Sequence, residues 1–123
     1  MYIYYKNEWI KVDQNDEQVK ELNIKIGAGA VIGTNAVINA DVDIGAGADI
    51  GAGAVIGAGA VIGAGADIGE RVVINADVII HAGAVIGTNA VINADVDIGA
   101  GADIGAGAVI GAGAVIGAGA VIG

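Results

Sequence analysis

Isoleucine recurs at every sixth position from Ile26 to Ile122 without a break, seventeen residues in a single register. A helix cannot use that period, because 3.6 residues per turn would smear the apolar side chains around its surface. A short strand followed by a tight turn can. In Ala-Val-Ile-Gly, successive side chains point to opposite faces. Each Ile and the Ala two residues before it therefore face inward. The Val or Asp between them faces outward. The Ala-Gly that follows turns the chain, with Gly where a positive φ is needed. Asn35 and Asn89 stand at that same place and tolerate it. Arg71 stands there too, and the sequence offers no reason for it.

Longer offsets set the number of sides. Residues 28–66 and 82–120 are identical, an offset of 54. Ile-Asn-Ala-Asp-Val units begin at 38, 74 and 92, offsets of 36 and 18. All three offsets are multiples of 18, so a coil has three six-residue sides. The expected fold is all-β: a triangular parallel solenoid over residues 26–123, about 5.4 coils of 18 residues. Successive coils would stack about 4.8 Å apart. Its core is a column of Ile on each side with Ala near each corner. Each buried Ile stabilises the fold by roughly 1.5–3 kcal/mol. The perfect 39-residue duplication reads as an idealised or engineered repeat, with residues 68–87 as the least regular stretch.

This pattern resembles the bacterial hexapeptide-repeat transferases, whose [LIV]-G-x-x-A-x units coil into a left-handed parallel β-helix. The resemblance covers residues 26–123 and is specific for fold. It implies the left-handed sense, which periodicity does not. It also implies side-by-side trimers, and an acyl transfer in which a His acts as general base on an acceptor hydroxyl or amine attacking an acyl thioester.

Composition narrows the chemistry. The chain has no Cys, so it has no disulfide framework and no cysteine-based metal or redox site. A single His cannot supply a multi-histidine metal centre. Five basic residues against fourteen acidic ones argue against nucleic acid. Residues 104–123 are uncharged and long enough to span a bilayer. The same pattern carries Asp elsewhere, so they read as solenoid and no membrane partner is expected. The N-terminal MYIYYKNEWIKV lacks the features of a signal peptide, so cytoplasmic residence is expected.

Residues 1–25 differ from the repeat. YIYY and WIKV read as paired strands, and Asp13, Asn15 or Asp16 could cap a brief helix. The aromatic cluster could be a recognition patch. A cover over the apolar end of the first coil is the preferred reading, since solenoids need one. At Gly123 the pattern stops on an interior-type coil. That predicts pairing with another copy through Ile116 and Ile122, giving a closed dimer.

Three outward columns follow from the 18-residue coil. Val37, Val55, Val73, Val91 and Val109 form one side, an apolar stripe that is a candidate interface for a side-by-side trimer. Asp49 and Asp67 adjoin on another side, and Asp77 and Asp95 at a corner. Paired carboxylates do not make a calcium cage, so these read as solubilising charge and no metal is expected. The solenoid carries nine acidic residues and one Arg, a net charge of −8. Gly27, Gly29 and Gly33 imitate a dinucleotide fingerprint, but no helix follows to receive a pyrophosphate, so no cofactor is expected.

His81 is the one residue with catalytic potential. It follows Ile80 at the outward place that Gly63 and Gly99 fill in the flanking coils. Asp97 lies diagonally one coil on, roughly 7–8 Å away in ordinary sheet geometry. A hydrogen bond would need side-chain reach. The repeat is unbroken, with no extruded loop to wall a pocket. The expectation is therefore a self-associating scaffold without enzymatic activity. The alternatives are a hexapeptide acyltransferase using coenzyme A thioesters with His81 as base, and a fibre-forming cross-β assembly.

Overall fold

Corners and strands alternate as the hexads dictate. At the first corner the N–H of Ala30 donates to the carbonyl of Gly27 at 3.2 Å, and Gly29 has φ +75°. This is a β-turn with its third residue in the left-handed region. Between corners lie strands of two residues, from β3 (Lys25–Ile26) to β19 (Val121–Ile122). The fold is that of a computed structural model, which describes residues 1–5, 8–13 and 16–123.

Each short strand pairs in parallel with the strand 18 residues on, as Val37 with Val55 and Ile38 with Ile56. Three parallel sheets result, one on each side of the solenoid. The 18-residue coil expected from the repeat offsets is the coil observed. The eleven register isoleucines from Ile38 to Ile98 are each less than 2% exposed. Val42, Val72, Val78 and Val96 replace the corner Ala and are buried as well. Among the described residues no polar side chain is buried, so the core needs no internal polar partners.

The glycine after each inward Ile has a steric cause. A Cβ on Gly63 would lie 2.5 Å from the backbone nitrogen of Ala82 in the next coil. Four residues with a Cβ nevertheless follow an inward Ile: Asn39, Asn75 and Asn93 in one column and His81 in another. At these the ladder opens. The Gly57 N–H reaches the Ile74 carbonyl at 2.6 Å, whereas the Asn39 N–H reaches Ile56 at 3.1 Å and the His81 N–H reaches Ile98 at 2.9 Å.

The N-terminal segment joins the same architecture. β1 (Tyr2–Tyr5) pairs antiparallel with β2 (Glu8–Lys11), as the two apolar runs suggest. β1 also extends the Val-bearing sheet. Tyr2 pairs in parallel with Val37, and its N–H donates to the Ala36 carbonyl at 2.8 Å. Helix α1 (Glu17–Glu21) has Asp16 at its N-cap position, but the Asp16 side chain does not cap it. Its Oδ2 instead accepts from the N–H of Asp13 at 3.1 Å. Asn15, the remaining cap candidate, lies outside the described residues. Val12, Val19 and Ile24 are buried in the solenoid's own core.

The uncharged C-terminal stretch forms short strands and corners of the solenoid. No helix among the described residues is long and apolar enough to cross a membrane.

Candidate functional site

His81 directly follows strand β12 (Ile79–Ile80), and Asp97 begins strand β15 (Asp97–Ile98). The two strands are ladder neighbours, with Ile79 opposite Asp97. His81 is two residues beyond Ile79 on the same outward face, so its relation to Asp97 is the expected diagonal. Side-chain reach closes that diagonal: His81 Nε2 lies 2.9 Å from Asp97 Oδ1. Both side chains are about half exposed, at 49% and 46%.

The chemistry follows from the pair. When His81 is neutral, a carboxylate can only accept, so the ring proton resides on Nε2 and points to Asp97. Nδ1 then keeps its lone pair and is the nitrogen able to take a proton. A carboxylate-oriented imidazole of this kind is a general-base arrangement.

The other sequence candidates fall elsewhere. Val37, Val55, Val73 and Val91 stack on one side but are only half exposed, because each is screened by a neighbour above and below it, Tyr2 and Val55 for Val37 and a Val on both sides for the other three. Val109, with a Val on one side of it only, is 68% exposed. Ile116 is half-buried and Ile122 is 36% exposed. Asp49 and Asp67 are direct ladder partners, in a shallow groove with Glu70 and Thr88. Among the described residues no group of three or more His, Cys, Asp or Glu is placed to hold a metal ion.

Arg71, unexplained by the sequence, has a place in the structure. Its φ is +56°, in the left-handed region. Its Nε donates to Asn89 Oδ1 at 3.2 Å, one coil on in the same corner column. Its guanidinium also lies 3.8 Å from the Glu70 carboxylate. The signal for this lay in the sequence, since 71 and 89 differ by one coil.

A parallel solenoid with 18-residue coils and a histidine–carboxylate pair on one sheet face defines a class of protein. The chain matches the family description "Bacterial transferase hexapeptide (six repeats)" over residues 23–58, 53–88 and 77–112, and it belongs to that family. Among solved structures it is similar to the acetyltransferase domain of PglB from Neisseria gonorrhoeae. The identity is 30% and the TM-score 0.62, over 82% of this chain and 46% of that one. WeeI from Acinetobacter baumannii is 26% identical with a TM-score of 0.77, over 81% of this chain and 49% of that one. A perosamine N-acetyltransferase from Caulobacter crescentus shares the fold at 24% identity and a TM-score of 0.77, over 80% of this chain and 47% of that one. The chain thus spans about half the length of these relatives. The comparison with curated proteins gives no match.

These findings correct one expectation. The regularity of the repeat argues, by itself, against enzymatic activity. An acetyltransferase domain similar over 82% of this chain at 30% identity overturns that exclusion.

Proposed function

We propose that this chain is the β-helical part of an acyltransferase that moves an acyl group from a coenzyme A thioester to an acceptor hydroxyl or amine. The observation that carries this reading is the 2.9 Å contact between His81 Nε2 and Asp97 Oδ1. The likeness to the PglB acetyltransferase domain supports it.

The proposed step is balanced by the pair itself. Nδ1 of His81 takes the proton from the acceptor as its oxygen or nitrogen attacks the thioester carbonyl. Asp97 stabilises the imidazolium that forms. The tetrahedral intermediate collapses, the carbon–sulfur bond breaks, and the leaving thiolate takes the proton back from His81.

The test is thiol release from acetyl-coenzyme A, with hydroxylamine as a generic acceptor. His81→Ala should slow transfer by about 10²–10⁴-fold, the usual size of a general-base contribution. Equal release by the wild-type chain and His81→Ala would overturn the reading.

Residues 1–25 are proposed to cap the solenoid. The buried Val12 and Val19, and the extension of the Val-bearing sheet by β1, support this. The Val side is proposed as a surface for self-association. The exposure of Val109 supports it, and sedimentation of the wild-type chain against Val73→Asp tests it.

A further inference from the structure

We infer that Ile79 is a positioning residue for the His81–Asp97 pair: it holds the imidazole against the carboxylate without itself meeting substrate. This rests on the acyltransferase reading only for its catalytic consequence. The geometric claim stands by itself.

The repeat supplies its own control. Residues 28–66 and 82–120 are identical, which makes Asp43 and Asp97 equivalent. The strand beyond each is also equivalent, placing Val61 opposite Asp43 and Val115 opposite Asp97. Yet Asp43 is exposed, and Asp97 alone among the outward Asp residues of the strands is half-buried. The coil before must make the difference. There Lys25 faces Asp43, whereas Ile79 faces Asp97. Two residues on, Gly27 stands in the first case and His81 in the second.

Ile79 is itself an exception. Of the seventeen residues that precede the register isoleucines, it is the only Ile. The exception falls beside the only His in the chain. To reach Asp97, the imidazole has to lean back along the outward face, towards the residue directly above Ile79. A β-branched side chain there is stiff at χ1 and offers no polar group. Beside Asp97 it would bound the ring on that side, and it brings no polar group of its own to compete with His81 for the carboxylate. A Lys at the same place, as at position 25, would compete for the carboxylate.

The sole imidazole makes the test unambiguous. In the ¹⁵N-labelled chain, at a pH where the ring is neutral, the nitrogen spectrum should show one tautomer with the proton on Nε2. Ile79→Val should keep that signature. Ile79→Ala and Ile79→Lys should lose it to a mixture of tautomers. Ile79 is already 40% exposed, so these variants should fold, which circular dichroism checks. In a His81→Ala background, Gly27→His with Lys25→Ile should recreate the signature at Asp43, and Gly27→His alone should not. The proposal is overturned if Ile79→Ala keeps a single Nε2 tautomer, or if Gly27→His alone reproduces it. In the thiol-release assay, Ile79→Ala should lower kcat about tenfold with KM within about twofold, the pattern of a lost transition-state interaction. An inactive wild-type chain would remove the acyltransferase reading while leaving the spectra to decide this one.

Discussion

The carbonyl oxygen of Ile56 receives two hydrogen bonds from one residue, Asn39. The backbone N–H of Asn39 donates at 3.1 Å and its Nδ2 at 2.8 Å. Asn75 Nδ2 donates in the same way to the Ile92 carbonyl at 3.0 Å, and Asn93 Nδ2 to the Ile110 carbonyl at 2.8 Å. In each case a Cβ opens the gap between coils and the side-chain amide then bridges it.

Replacing Asn75 with Ala should therefore be costly. The Cβ that spaces the coils stays, and the amide that bridges them is gone. A loss of about 1–2 kcal/mol is expected for the hydrogen bond, read from urea unfolding. Asn75→Gly should cost less than half as much, because the ladder can then close as it does at Gly57.

Two glycines separated by one residue should respond differently to the same change. In Gly63→Ala the new Cβ meets the Ala82 backbone nitrogen at 2.5 Å, so the coils must move apart. Overpacking of that kind costs about 1–3 kcal/mol. In Gly65→Ala the space is open, and only the φ of +68° is unfavourable, a cost of about 1 kcal/mol. Thermal unfolding should rank Gly63→Ala below Gly65→Ala.

Arg71→Gly should raise the melting temperature. Glycine removes the strain of φ +56°, worth about 1 kcal/mol. The hydrogen bond from Arg71 to Asn89 and its ion pair with Glu70 are both exposed and weak, so removing them costs less than that. Arg71→Ala should lower the melting temperature, since the strain remains and both interactions disappear.

Ile68→Ala should cost about 2–5 kcal/mol, the range for a buried aliphatic side chain truncated in a packed core. Ile68 is 1% exposed, whereas Ile122 is 36% exposed. Ile122→Ala should therefore cost much less, which denaturant midpoints will show.

The solenoid was legible because its determinants are periodic. The Ile register and the offsets of 18, 36 and 54 specify strand, corner and coil without reference to any single contact. The Asn column at 39, 75 and 93 was visible as well, three residues sharing one corner. Its purpose was not, since it depends on a carbonyl seventeen residues away. The His81–Asp97 contact was hidden for a related reason. Backbone spacing gives the diagonal between them, but the direction of two side chains decides whether it closes. The half-burial of the Val stripe likewise comes from each Val screening the next, which no single hexad encodes.

Coils of one common length make the height of this protein adjustable in whole steps. Removing residues 46–63 would join Gly45 to Ala64, and the sequence across that seam, Gly-Ala-Gly-Ala-Asp-Ile, is the one already present after Gly45. The shortened chain would lose one rung of about 4.8 Å and keep every local junction. Insertion of the same segment would add one. The height of the histidine along the column, measured from the N-terminal strands, is in this sense a dial with whole-rung stops: an added rung leaves Val61 opposite Ile79, whereas the removed rung brings Asp43 to that place.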